Sequence, residues 1–451
     1  MHCVAQPEIE THRESVTSSS VLRFLLSAVL AGWVVRLIVV AFVYPGFLDP
    51  GRDHWEFGYE IGAVAHSIVT GHGFANPYWV ESGPTAIIGP VFPYILAGVF
   101  AIFGAYTKAS ALVFLAFNCL GSAVTSVPVF FMARKSFGLR TAKWAAWVWA
   151  FFPYAINFSA NCMWYHSFLG LLLALLFLIA LHLESSDGIG AWAGWGLLYG
   201  FSALVSPAVL GILPFLGGWV CYRLARQGKR WVKAATVGVL VLIVTIAPWQ
   251  IRNYQSFHRL IPTLRDNLWL EVADGNVGDA LHWWNGDVHP AGNVQEVRDY
   301  ERLGELGYMA EKQKQSLAYI ESHPGIYLLR SIRRVGFIWT GFWSFNREYL
   351  HEEPLDPANI FFLTVFSALS FIGLYKAFRK SAATATPYFL VLLTYPVVYY
   401  LTYASAGLRH PMDPIMVVLA SFAVVSWLPR SREISAEEAG VVSHVQAAWV
   451  E

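Results

Sequence analysis

The stretch "FLLSAVLAGWVVRLIVVAFVYPGFLDPGRDHWEFGYEIG", residues 24–62, decides the fold class. Its first part belongs to an apolar run, 21–43, long enough to cross a bilayer core as a helix, which takes roughly 20 residues. The run is too long for a signal-peptide core, and no small-residue cleavage site lies ahead of the acids, so it is expected to stay as a first span. Directly behind it come Asp49, Asp53, Glu56 and Glu60. A plain anchor does not need four acids at its exit.

Comparable runs recur at 110–133, 141–158, 164–183, 190–206, 207–223, 234–249, 357–376, 387–404 and 411–428, judged by length and lack of charge. The fold expected is an all-α polytopic membrane protein of about ten transmembrane helices, with interfacial helices and a small outer-face domain. Composition agrees: 56% of the 451 residues are apolar and 14% charged, while 19 Trp and 21 Tyr suit membrane interfaces. A net charge of +1, with the basic residues in short clusters, gives no sign of a nucleic-acid partner, and none is expected. Cys3, Cys119, Cys162 and Cys221 share no CxxC and no ligand spacing, so they read as packing residues and not as a disulfide or zinc framework.

The segment 90–104, apolar but short and opening on prolines, reads as an interfacial helix. On that reading the clusters Arg134/Lys135/Arg140/Lys143, Arg223/Arg226/Lys229/Arg230/Lys233, Lys376/Arg379/Lys380 and Arg430/Arg432 all fall on one side, cytoplasmic by the positive-inside rule. The chain then divides into a polar extension 1–20, a first membrane module 21–249 with an outer loop 44–109, an outer-face segment 250–356, the last helices 357–430 and a tail 431–451. Residues 263–330 match no motif. The run "GIYLLRSIRRVGFIWTGFWSF", 325–345, reads as an amphipathic helix on the outer leaflet, with Arg330, Arg333 and Arg334 meeting lipid head groups.

The acids have two readings. Spaced one helical turn apart, Asp53, Glu56 and Glu60 fit a solvated helix start favoured by the macrodipole. Beside a lipid-facing cavity the same carboxylates can act as a general base or a metal ligand, because partial burial raises their pKa near a substrate hydroxyl. His54, His66 and His72 are too irregularly spaced to make a metal site on one helix. Arg409 and His410, and likewise Arg252 and Asn253, read either as phosphate binders or as anchors at the membrane edge.

The order of a first span, an acidic loop, "HWEFGYEIGAVAHSIVTGHGF" (54–74), "SGPTAIIGPVFPYILAGVFAIFG" (82–104) and many further spans resembles the C-type superfamily of membrane glycosyltransferases. That superfamily includes dolichyl-phosphate-mannose protein mannosyltransferases and lipid A aminoarabinose transferases. "APWQIRNYQSFHRLIP" (247–262) is similar to its PW-x-x-RN entry into the outer domain, and "LRHPMDPIMVVL" (408–419) to its R-x-P-x-x-P opening of a late span. Two stretches depart from the pattern. Where relatives keep a second acid the chain has "CMWYHSFLGLL" (162–172), and where they have TRP it has "VSP" (205–207).

The resemblance implies inverting transfer of a sugar from a polyprenyl-phosphate donor to a lipid, glycan or protein acceptor, on the outer face of a bacterial cytoplasmic membrane. Glu56 or Asp53, with Glu60 one turn on, would take the acceptor proton, and Arg409, His410, Arg252 and Asn253 would face the donor phosphate. No cofactor or metal-ligand set is fixed by these motifs, and a divalent metal stays an open alternative. A ligase or flippase-like handler of polyprenyl-linked glycans, or a secondary transporter, are the rival expectations. Transport sits poorly with charge concentrated in two outer loops.

Overall fold

The computed structural model describes residues 18–44, 57–161, 163–278, 285–343, 347 and 356–429. Asp49, Asp53, His54 and Glu56 lie outside the described residues, as do the polar extension 1–17 and the tail from Arg430. The described chain is a helical membrane protein; its one β feature is an isolated bridge between Ala75 and Pro84.

Eight helical stretches among the described residues are long and apolar enough to cross a bilayer: Ser19–Phe42, Lys108–Phe137, His166–Leu183, Pro207–Arg226, Trp231–Phe257, Ala358–Lys380, Ala382–Leu401 and Ala406–Trp427. The other two runs expected to span are shorter pieces. Helix Ile189–Val205 has 17 residues. The run 141–158 is two helices, Leu139–Ala150 and Pro153–Ala160. Pro153 has no N–H to give the carbonyl four residues back, so the helix stops there. The freed carbonyls are taken by Arg36 of the first helix, α1 (Ser18–Phe42), whose fully buried guanidinium donates to the oxygens of Ala150 at 2.8 Å and Trp149 at 3.4 Å, and within its own helix to Gly32 at 2.9 Å. A cation in the middle of a span is thus used to close a helix break.

Close backbone approach fixes one helix pair. A Cβ on Gly196 would stand 2.0 Å from the carbonyl oxygen of Gly238, so Ile189–Val205 and Trp231–Phe257 touch through their main chains.

The basic clusters among the described residues gather at one end. Arg140 donates to the Pro429 carbonyl at 2.9 Å, Lys376 to Ser426 at 2.6 Å, and Arg223 lies 3.6 Å from Glu184. The outer-loop helices α2 (Glu60–Val69) and α3 (Val91–Phe103) pack on each other. At 13 residues α3 is about 20 Å long, shorter than the hydrocarbon core is thick.

Segment 250–356 contributes α12 (Leu268–Asn276), α13 (Val294–Ser322) and α14 (Pro324–Thr340). Gly304, at φ 68°, breaks α13 and turns Glu305 onto the first outer loop. There the buried Glu305 carboxylate accepts from the Thr85 hydroxyl, the Ala86 N–H at 2.8 Å and the Tyr300 hydroxyl at 2.7 Å. Burial raises its pKa to about 7, against the pull of those three donors.

Helix α14 keeps an exposed apolar face, with Leu328, Leu329 and Ile332, as expected of a helix on a leaflet. Two of its arginines depart from the head-group reading. Arg330 donates to the carbonyls of Asn276 and Gly278, and Arg334, itself buried, to Gly275, to the Asn276 side chain at 2.6 Å and to Tyr400 at 3.0 Å. The end of α12 leaves carbonyls without helical partners, and these guanidiniums fill that need.

Candidate active site

The N-terminus of α2, the segment from Pro262 into α12, and the loop around His289 converge on one cavity of about 1230 Å³. Glu60 enters from α2, Arg265 from the segment ahead of α12, Glu271 and Asp274 from one face of α12, and His289 from the following turn. Glu271 and Asp274 are three apart, which puts both carboxyls on the same side of the helix. Gly275 lets α12 come this close: a Cβ there would meet the Thr402 carbonyl oxygen at 1.9 Å. Farther from these polar groups the wall is apolar, with Leu210 and Phe215, Leu393 and Val397, and Phe337 and Leu363.

Burial sets the protonation of the acids. Glu60 is raised to about 7, mainly by desolvation; its backbone hydrogen bond and Arg265 pull the other way, while Glu271 adds to the rise. Glu271 and Asp274 are also raised by burial, Glu271 against Arg265, and Asp274 against the Asn285 N–H, which it accepts at 2.7 Å. Burial, and then the Lys312 charge, lower His289 to about 3, so the imidazole is neutral at physiological pH. Its Nε2 lies 3.9 Å from Glu60 Oε1, a contact that at neutral pH is not an ion pair.

For Arg265, burial acts to depress the pKa, but Tyr165 and Glu271 more than offset it and the guanidinium stays charged. It donates to the Ile87 carbonyl at 3.0 Å and the Tyr165 hydroxyl at 3.3 Å, an arrangement that fixes its plane on the cavity wall. Among the described residues no three His, Cys, Asp or Glu come together as a group able to hold a metal ion.

Residues 84–251 match the family described as dolichyl-phosphate-mannose-protein mannosyltransferase. Over 95% of its length the chain superposes on the oligosaccharyltransferase AglB from Archaeoglobus fulgidus, solved with an inhibitory peptide and a dolichol-phosphate, at TM-score 0.52 and 14% identity. The chain has the fold of the C-type membrane glycosyltransferases. It spans about half of that longer relative, 54% of its chain. The aminoarabinose transferase ArnT from Cupriavidus metallidurans, solved with undecaprenyl phosphate, aligns over 91% of this chain and 78% of its own at 13% identity and TM-score 0.34. No match was found among curated protein sequences.

Within this C-type fold the residues singled out in the sequence separate into groups. Glu60 lines the cavity. Glu56 and Asp53, four and seven positions earlier, lie outside the described residues. Arg409 and His410, read from sequence as standing beside lipid, are enclosed in protein at 1% and 0% exposure. Asp413, four residues after Arg409, explains it: Arg409 Nη2 meets Asp413 Oδ1 at 3.0 Å and His410 Nδ1 meets Oδ2 at 2.9 Å. Their neighbours Gly407 and Leu408 form the wall instead.

Arg252 donates to the Phe74 carbonyl at 2.6 Å, to the Thr85 carbonyl at 2.6 Å and to the buried Asn253 side chain at 3.0 Å, clamping the loop that carries Ile87 and Ile88 into the cavity. His66 packs tilted against Trp79 and Tyr106, and His72 meets Thr70 at 3.0 Å, so those two are not assembled as ligands. Arg265, Glu271, Asp274 and His289 were in view in the outer segment but carry no local motif. The helical spacing of Glu271 and Asp274 right after Arg265 is the signal that marks them.

Proposed function

We propose that the chain is a membrane glycosyltransferase that passes a sugar from a polyprenyl-phosphate donor to an acceptor hydroxyl, in the cavity shared by the first outer loop and segment 250–356. The observation that carries this reading is the pairing, on one cavity, of a carboxyl poised near pH 7 with a fixed guanidinium, beside apolar walls that suit an isoprenoid tail. The acceptor oxygen attacks the anomeric carbon and its proton passes to the Glu60 carboxylate. The bond from that carbon to the phosphate oxygen breaks on the opposite face, which inverts the centre. Polyprenyl phosphate leaves with its charge against Arg265. Arg409, His410, Arg252 and Asn253 act as positioning residues in this scheme, holding the wall and the outer loop.

Purified protein given undecaprenyl-phosphate sugar and a membrane extract is expected to release free undecaprenyl phosphate and to glycosylate a component of the extract. Donor that crosses a bilayer intact, with no carrier released, contradicts the reading.

The site belongs, in this reading, to the outer face of the membrane, opposite the basic end. Single cysteines introduced at Arg226 and at Asp287 decide it with an impermeant thiol reagent in intact cells. Labelling at 287 and protection at 226 are expected, and the reverse pattern overturns the orientation.

A further inference from the structure

One stretch of the cavity wall is polar without being ionised. The chain has no Asp, Glu, Lys or Arg between Lys143 and Glu184, and within that interval Asn157, Asn161, Trp164 and His166 line the cavity. Polar atoms are left over there. Asn157 Oδ1 accepts from the Tyr44 hydroxyl at 2.7 Å and from Asn161 Nδ2 at 3.3 Å, which among the described residues leaves the Asn157 N–H donors and the Asn161 Oδ1 acceptor unmatched. His166 Nδ1 is buried and has no hydrogen-bond partner. Buried polar atoms are paired in the great majority of cases, so an unpaired imidazole in a cavity wall calls for an explanation. The Trp164 ring lies nearly parallel to the His166 ring, with 14° between the planes and centroids 6.0 Å apart. Gly407 completes this wall without a side chain: a Cβ there would stand 3.1 Å from His166 Nε2 and 3.4 Å from the Phe158 ring.

Tyr165 ties this wall to Arg265. Its hydroxyl takes a hydrogen bond from that guanidinium at 3.3 Å, its chain neighbours are Trp164 and His166, and its ring centroid is 4.9 Å from that of His166. A sugar joined through one oxygen to a phosphate on Arg265 therefore has the wall beside it. Aromatic faces suit the C–H side of a pyranose, while amides and an imidazole offer the donors and acceptors that hydroxyls need. An ammonium or carboxylate on the sugar would lose its water there without gaining a counter-ion, which is costly. We infer that Asn157, Asn161, Trp164 and His166 form the subsite for the sugar ring of the donor, and that they select an uncharged hexose over an amino sugar or a uronic acid. The inference rests on Arg265 as the phosphate site, and it deepens that reading by naming the class of sugar transferred. These side chains hold the ring and not the reacting bond, so their loss shows first in donor affinity.

Binding tests this without turnover. Full-length protein in lipid nanodiscs is titrated by calorimetry, with empty nanodiscs as the blank, against citronellyl phosphate and its mannosyl, glucosyl and 4-amino-4-deoxyarabinosyl esters. At least one of the hexose esters is expected to bind about 10-fold tighter than the bare phosphate, the scale of one net hydrogen bond, and the amino-sugar ester no tighter than the bare phosphate. Trp164→Leu and Asn161→Ala are expected to erase most of that gain, and Gly407→Ala to do the same by crowding the ring site. Melting curves report folding, and Gly407→Ala, which adds only a methyl group, keeps the comparison alive if the leucine variant does not fold. No gain from either hexose, a gain that survives in both Asn161→Ala and Gly407→Ala, or an amino-sugar ester that binds tighter than both hexose esters overturns the inference. Failure of the functional reading looks different, because there Arg265→Ala leaves the binding of the bare phosphate unchanged.

Discussion

Glu60→Gln lowers turnover by about 10²- to 10⁴-fold, the usual contribution of a general base and equivalent to about 3–5 kcal/mol of barrier. The loss is expected in turnover with the fold intact. Burial raises the Glu60 carboxyl from 4.5 to about 7, so its cost to the folded state grows as the pH rises between those two values and is present in full above 7. A neutral amide removes that load, and the glutamine variant should melt at or above the wild-type temperature at pH 8. The same pKa gives a sign for activity. Turnover should rise with pH through about 7 as the base loses its proton, and Glu60→Asp should keep a pH-dependent remnant that Glu60→Gln lacks. Parallel Glu56→Gln and Asp53→Asn variants belong in the assay, because the sequence placed the base on those two first. A mild loss at Glu60 with a deep one at either of them moves the base to the earlier acid.

Arg265→Ala costs about 10²- to 10³-fold in turnover, the range for removing one charge-stabilising group from the site of developing negative charge. Arg265→Lys keeps the charge but not the planar fork, which here also holds the Ile87 carbonyl and the Tyr165 hydroxyl, so it recovers only part of the activity. The contrast is with Arg409, already neutralised by Asp413 inside the protein. Arg409→Lys should act on thermal stability more than on the affinity for donor. If Arg409→Lys raises the donor KM more than Arg265→Lys does, the phosphate has been placed at the wrong arginine.

The spans were legible because a bilayer imposes a length and a polarity on each of them, and 21–43, 110–133 and 164–183 came through with small shifts in boundary. Where the sequence misled, a single residue had changed the local answer. Pro153 divides 141–158 into two helices, and Asp413 turns Arg409 and His410 away from lipid and into the core. The polar end of the cavity was the least legible part. Glu60 lies more than 200 residues before Arg265, Glu271, Asp274 and His289, and only the tertiary fold brings them to one cavity. A pattern within one helix can flag Glu271 and Asp274 as a pair, but it cannot say what they face. Arg252 shows the converse: its motif was found, and tertiary structure assigned it to carbonyls of the first outer loop.

Everything proposed for the cavity turns on where a carrier phosphate binds. A cryo-electron microscopy map of the full chain in nanodiscs with undecaprenyl phosphate is the decisive measurement. Phosphate density is expected within hydrogen-bond reach of the Arg265 guanidinium, with the isoprenoid running along the wall of Leu210, Phe215, Leu393 and Val397. Phosphate density at the basic end near Arg223 and Arg140, with the cavity at Glu60 and Arg265 free of lipid, would contradict it.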